Sequence, residues 1–115
     1  MDKKYNTLKE VIEKLKLIPF HKWKAEGIFY GNAPDKRCYS TQLDNKYVKF
    51  EGGYWGIEDR YELSILKSKN SKKCIYHIET YQPEAEETHI DKSEENLYKL
   101  TKDLYDYLGK NIREN

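Results

Sequence analysis

Residues 61–81 read YELSILKSKNSKKCIYHIETY and predict a β-hairpin. Apolar and polar side chains alternate over residues 61–65, as in a strand with one buried face. Residues 67–73 form a polar turn, and residues 74–81 are again rich in β-branched and aromatic side chains. The two predicted strands are therefore antiparallel neighbours, and the tip of their hairpin is basic.

Similar patterns upstream predict three further strands, at residues 23–30, 38–43 and 46–51. Residues 31–35 have the composition of a turn, and Asp44-Asn45 suits a tight hairpin turn. Residues 52–56 contain three glycines, which weaken regular structure, so they predict a loop that carries Tyr54 and Trp55.

Two amphipathic helices are predicted at the ends of the chain. The first begins at the capping box formed by Thr7 and Glu10 and stops at about Leu17, before Pro19. The second spans about residues 93–108. The apolar stripes that predict them are Leu8, Val11, Ile12 and Leu15 in the first and Leu97, Leu100, Leu104 and Leu108 in the second. Tyr98 and Tyr105 form a second stripe beside these leucines, beyond what one core contact requires.

The order of elements, α-β-β-β-β-β-α with sequential hairpins, predicts an α+β fold. Its sheet would be an antiparallel meander of four to five strands, with the N-terminal and C-terminal helices packed on one face. The stretch 82–91 is acidic and lacks apolar periodicity, so it predicts a solvated connection. The length of 115 residues and the absence of repeats predict a single domain, 1–115.

Composition narrows the classes of function. A net charge of +1 provides no global field to attract nucleic acid or an anionic membrane. No secretory leader and no apolar run long enough to span a bilayer is visible, and Cys38 and Cys74 lie far apart in sequence. These features predict a cytoplasmic protein with reduced cysteines and no membrane partner. They do not indicate an oligomeric state.

No catalytic, metal or cofactor motif is complete. His77-Ile78-Glu79 matches the His-x-Glu fragment of zinc deaminases, but the Pro-Cys-x-x-Cys that those enzymes also need is absent. We therefore predict no metal site and no cofactor. A small enzyme built around His77, Glu79 and Cys74 would require these side chains to converge in a pocket.

The leading hypothesis is a non-enzymatic protein that binds another protein. Tyr and Trp are favoured as interface anchors, and 11 of the residues are Tyr. The predicted contact residues are Tyr54, Trp55, Tyr98 and Tyr105, although Trp55 could equally fold back onto the core. The bias towards Lys, Asn, Ile and Tyr is typical of AT-rich bacterial or phage genomes. In that setting we expect a phage or mobile-element inhibitor of a host defence system, or an immunity-type protein.

The alternative is a module that binds nucleic acid or nucleotides through the basic hairpin tip and exposed aromatic rings. The basic residues concerned are Arg60, Lys67, Lys69, Lys72 and Lys73. Such binding would weaken steeply with salt. The competing explanation for a lysine-rich turn is solubility alone.

Overall fold

The fold is seen in a computed structural model, which describes residues 3–30, 33–54, 59–83 and 92–112. Helix α1 (Lys3–Lys16) and a 3₁₀ turn (Phe20–Lys22) precede the strands. The strands are β1 (Lys24–Tyr30), β2 (Ala33–Leu43), β3 (Lys46–Tyr54), β4 (Asp59–Leu66) and β5 (Cys74–Tyr81). Helix α2 (Lys92–Asn111) follows them.

The five strands form one antiparallel sheet in the order β1-β2-β3-β4-β5. Each strand thus pairs with its neighbours in sequence, which confirms the predicted meander and the α+β class. The bounds predicted for the fifth strand, residues 74–81, match those of β5.

One hydrophobic core lies between the sheet and the two helices. Tyr39, Phe50 and Leu63 supply fully buried side chains from β2, β3 and β4. The helices face them with the buried stripes Leu8, Ile12 and Leu15 of α1 and Leu97, Leu104 and Leu108 of α2. Full burial of an aliphatic or aromatic side chain of this size contributes about 1.5–3 kcal/mol. We call the sheet face in contact with this core the inner face.

The helices also contact each other. The Tyr107 hydroxyl of α2 donates a hydrogen bond to the Lys16 carbonyl at the end of α1, at 3.2 Å. The Lys16 ammonium forms an ion pair with Asp103, at 2.5 Å. These contacts join the two ends of the chain over the inner face.

Both helices are longer than predicted. Helix α1 begins at Lys3 rather than at the capping box, so Thr7 lies inside it, and the start predicted at Thr7 is wrong. Tyr5 packs against the core and extends the buried stripe of α1 by one turn. Helix α2 continues past residue 108 because Ile112 also packs against the core and the Asn111 side chain donates to the Tyr107 carbonyl, at 2.8 Å.

The predicted loop at residues 52–56 is wrong for its first three residues, because β3 continues to Tyr54. A Cβ atom on Gly52 would collide with the Tyr61 ring and lie 3.1 Å from Cδ1 of Tyr105. Glycine here makes room for two aromatic rings on the inner face. Residues 55–58, including Trp55, lie outside the described residues.

Strand β2 begins at Ala33, five residues earlier than predicted, so the turn predicted at residues 31–35 is wrong from Ala33 onwards. Ala33 and Pro34 pair with Tyr30 and Phe29 beyond a register shift in β1, which extends the ladder. Residues 84–91, most of the predicted acidic connection, lie outside the described residues.

Candidate functional site

The opposite side of the sheet, which we call the outer face, is not covered by either described helix. Cross-strand pairing aligns one residue from every strand in a single row on this face. The row, which we call the carboxylate row, consists of Glu26, Cys38, Glu51, Glu62 and Glu79. Four of its five members are glutamates, although they come from different strands and are far apart in sequence.

Like charges are directly opposed within the carboxylate row. Glu62 on β4 pairs with Glu51 on β3 and with Glu79 on β5. Directly opposite carboxylates destabilise an antiparallel pair. Burial, followed by the hydrogen bond and charge of Glu79, raises the pKa of Glu62. Hydrogen bonds from Tyr81 and Glu62 lower the pKa of Glu79. Of the two carboxyls, Glu62 therefore takes up a proton more readily.

Tyr81 and Arg60 hold the Glu79 carboxylate in one orientation. The Tyr81 hydroxyl donates to Glu79 Oε2 at 2.5 Å, and Arg60 Nη2 lies 3.5 Å from the same oxygen. Arg60 also donates to the Tyr81 hydroxyl at 2.9 Å, with its guanidinium 4.7 Å from the centre of the Tyr81 ring. The other carboxylate oxygen, Oε1, is left to face His77.

Glu62, His77 and Glu79 form a cluster at the β5 end of the carboxylate row. His77 Nε2 lies 3.6 Å from Glu62 Oε1 and 3.8 Å from Glu79 Oε1. The three ligand atoms lie within 4.8 Å of one another, so the cluster could hold a metal ion or a basic group of a partner. The sequence drew attention to His77 and Glu79 but not to Glu62, which only the β4–β5 register brings beside them.

Neither cysteine is placed as an activated nucleophile. Burial and the neighbouring Glu51 raise the pKa of the Cys38 thiol to about 11, so it stays protonated at neutral pH. The Cys74 sulfur contacts the Tyr76 carbonyl at 3.1 Å and does not belong to the cluster around His77. The convergence of Cys74 with His77 and Glu79, which the enzyme hypothesis requires, is therefore not found.

Two of the predicted partner-binding residues lie in or against the core. Tyr98 is 7% exposed, and its ring centre is 5.6 Å from that of Tyr61. Tyr105 packs on Tyr61 at 5.2 Å and edge-on to Tyr39 at 5.8 Å. Both rings thus complete the core contact that the leucine stripe was expected to make alone. Of the other two, Tyr54 ends β3 and Trp55 lies outside the described residues. The binding role predicted for these four residues stays a prediction.

The basic residues proposed for nucleic-acid binding lie at opposite ends of the outer face. Arg60 contacts Glu79 and Tyr81 near one end of β4. The lysines at positions 67, 69, 72 and 73 are exposed in the turn beyond its other end. Only the turn lysines are neighbours, and Arg60 does not extend their patch.

Lys69 also lines a cavity of about 420 Å³ at the hairpin end of the sheet. The other lining residues come from the 3₁₀ turn, β1, β2 and β3. We call this cavity the lysine pocket, and its lining residues are Lys22, Lys24, Ser40, Thr41, Gln42, Tyr47 and Lys69. Three of the seven are lysines, two of them from the stretch 22–24 and the third from the turn between β4 and β5.

Comparisons with protein-family models, curated proteins and solved structures find no significant match to this chain. Neither described helix is both long enough and apolar enough to cross a membrane.

Proposed function

We propose that the domain is a non-enzymatic binding module whose outer face docks onto a basic surface of a partner protein. The observation that supports this proposal is the carboxylate row, four glutamates on a sheet face that no described helix covers. Lysine or arginine side chains of the partner would lie along the row and offset its repulsion. This surface replaces the aromatic residues of α2 as the proposed contact.

Electrostatic strain in the free domain favours this role. Glu62 lies opposite both Glu51 and Glu79, and burial together with Glu79 raises its pKa, so the ionised form of Glu62 lowers the stability of the domain without a partner. Glu51 and Glu79 are partly compensated by Lys49 and Arg60. Residues that act against stability are typical of functional surfaces. Cationic groups of a partner would relieve this repulsion on binding. The relief would contribute favourably to the binding free energy.

Exposed apolar groups on the edge strand β5 add contact area. Ile75 is 51% exposed and Tyr81 is 43% exposed, both on β5. Arg60 is stacked on the Tyr81 ring and presents a further group that interfaces favour. A domain of this size would act by covering its partner's surface, as an inhibitor of a host defence system or an immunity-type protein does.

The test is affinity capture from an AT-rich bacterial host, with two variants that change the charge equally. The face variant carries Glu62→Gln and Glu79→Gln. The control carries Glu10→Gln and Glu13→Gln, both exposed on α1. We expect wild type and control to capture the same protein and the face variant to bind it at least about tenfold more weakly, since charged contacts are lost. Equal capture by both variants, or binding insensitive to salt, would contradict the proposal.

The stability of the free domain provides an independent readout. At pH 8, Glu62→Gln removes two directly opposed like-charge pairs and should raise the free energy of unfolding by about 0.2–1 kcal/mol, measured by urea titration. The same substitution should weaken partner binding. Because the two effects have opposite signs, a folding defect cannot account for the loss of binding.

A further inference from the structure

The lysine pocket combines positive charge with groups that can donate and accept hydrogen bonds. Three exposed lysines, Lys22, Lys24 and Lys69, line one concavity. Its volume of about 420 Å³ falls within the range of small-molecule pockets, about 300–1,000 Å³. Ser40 and Gln42 add a hydroxyl and an amide, and Tyr47 adds a phenol ring. Lysines and hydrogen-bonding groups suit the anionic part of a small ligand, and the Tyr47 ring suits an aromatic part of the same ligand.

The lysine charges of the pocket are not neutralised by carboxylates of the described residues. Within the part of the chain that the structure describes, the ammonium groups of Lys22, Lys24 and Lys69 form no ion pair. Other lysines of the domain do find carboxylates, as Lys49 does with Glu51 at 3.2 Å and Lys102 with Asp106 at 3.2 Å. Three uncompensated ammonium groups around one cavity raise the local concentration of anions.

One wall of the pocket is fixed by the core. Trp23, between Lys22 and Lys24 in sequence, is 4% exposed and belongs to the core cluster. The Lys22 carbonyl accepts a hydrogen bond from the Thr41 hydroxyl at 2.9 Å, which ties the 3₁₀ turn to β2. The backbone on either side of Trp23 is thus held in place, and two of the lysines extend from a preorganised wall.

We propose that the lysine pocket binds a small phosphorylated ligand of the nucleoside diphosphate class. The lysines and the hydroxyl of Ser40 bind the phosphates, since ammonium groups bind phosphate as point charges. The ring of Tyr47 stacks on the base.

A small ligand fits the surroundings of the pocket better than a nucleic-acid strand does. Lys24 and Ser40 lie in the cross-strand row next to the carboxylate row. Each is two residues, or about 7 Å, along its strand from Glu26 or Cys38 of that row. A polyanionic strand that left the pocket along β1 would meet the carboxylate row next, beginning with the exposed Glu26. A compact diphosphate stays at the positive end of the face.

The test is isothermal titration calorimetry of the full chain with inorganic pyrophosphate, ADP and adenosine. Lys69→Gln is compared with Lys72→Gln, which removes the same charge from the same exposed turn but does not line the pocket. Tyr47→Ala tests stacking. Circular dichroism and the urea midpoint of each variant show that it is folded.

We expect pyrophosphate and ADP to bind, and adenosine not to bind. Lys69→Gln should weaken the binding of both pyrophosphate and ADP by about tenfold, whereas Lys72→Gln should change their affinities by less than about twofold. ADP should bind more tightly than pyrophosphate, and this advantage should be lost in Tyr47→Ala if the variant remains folded.

Three results would overturn the proposal. The first is no binding of pyrophosphate or ADP by the wild-type protein. The second is an equal loss in the two lysine variants, which would assign the effect to the general charge of the turn. The third is tighter binding of a single-stranded oligonucleotide that depends equally on Lys69 and Lys72, which would make the turn a nucleic-acid surface.

Discussion

Gly52 is the residue on which the aromatic cluster of the core depends. It lies on β3 beneath the rings of Tyr61 and Tyr105, whose centres are 5.2 Å apart. Phe50, two residues earlier on the same face, stacks against Tyr61 at 6.1 Å. The absence of a side chain at one position therefore allows three rings from β3, β4 and α2 to pack together.

Substitution of Gly52 tests this packing directly. Gly52→Ala should lower the free energy of unfolding by about 1–3 kcal/mol, because its Cβ collides with the Tyr61 ring and overpacks the core. Gly109→Ala in α2 is the matched control, since among the described residues its Cβ would meet only the Tyr39 hydroxyl, at 3.5 Å. The control should be stabilised by about 0.5–1 kcal/mol, because alanine favours helix. Urea unfolding measures both, and a Gly52→Ala as stable as wild type would refute the packing argument.

Single-residue rules alone could not predict the structure around Gly52. Glycine weakens strands on average, so residues 52–56 predicted a loop. The reason for glycine at this position lies in Tyr61 and Tyr105, which are distant in sequence. Glu62 is a similar case, because its neighbours His77 and Glu79 are set by strand register rather than by sequence spacing.

At the level of elements, a buried hydrogen bond links α2 to the sheet. The hydroxyls of Thr80 on β5 and Thr101 on α2 are 2.6 Å apart, and both residues are buried. The Thr101 hydroxyl also donates a hydrogen bond to the Tyr98 carbonyl, at 2.9 Å. Both hydroxyls are thereby satisfied within an apolar interface.

A double-mutant cycle measures this link. Thr101→Val should lower the free energy of unfolding by about 1–3 kcal/mol, because it leaves the buried Thr80 hydroxyl without its partner. In the double variant Thr80→Val and Thr101→Val, no unpaired hydroxyl remains, so the loss should be smaller than the sum of the two single losses. Strictly additive losses in urea titrations would show that the two hydroxyls do not interact.

The elements themselves were largely predictable, since helical and strand periodicity is local. The leucines of α2 indicated its buried face, and the alternation over residues 61–65 indicated β4. The lysine pocket could not be predicted in this way. It depends on how the turn that carries Lys69 lies against β1, β2 and β3, which no pattern within one element records.

For the whole molecule, buried phenols make stability depend on alkaline pH. Burial raises the pKa of Tyr39 to about 12 and also raises the pKa values of Tyr61, Tyr98 and Tyr105. A raised pKa means that the folded state holds its protons more tightly than the unfolded state does. The contribution of the protonated Tyr39 phenol to the free energy of unfolding is complete below its unfolded pKa of 10. It is lost as the pH rises through the pKa of about 12 in the folded state.

The free energy of unfolding should therefore fall between pH 10 and pH 12. Urea midpoints measured across this range, together with tyrosinate absorbance, follow the loss. Tyr39→Phe removes one of the responsible groups and should make the fall shallower. A stability that stays constant to pH 12 would show that these phenols are not protected by the fold.

The contact between Lys16 and Tyr107 has a consequence for biosynthesis, since it joins residues 91 positions apart. The hairpins of the sheet involve near neighbours and can form while the chain is still being made. Helix α2 leaves the ribosome after them, so Phe50 and Leu63 have no cover from it until residues 92–111 emerge. A nascent chain stalled before that point exposes an apolar sheet face, which is a target for chaperones and a site for aggregation.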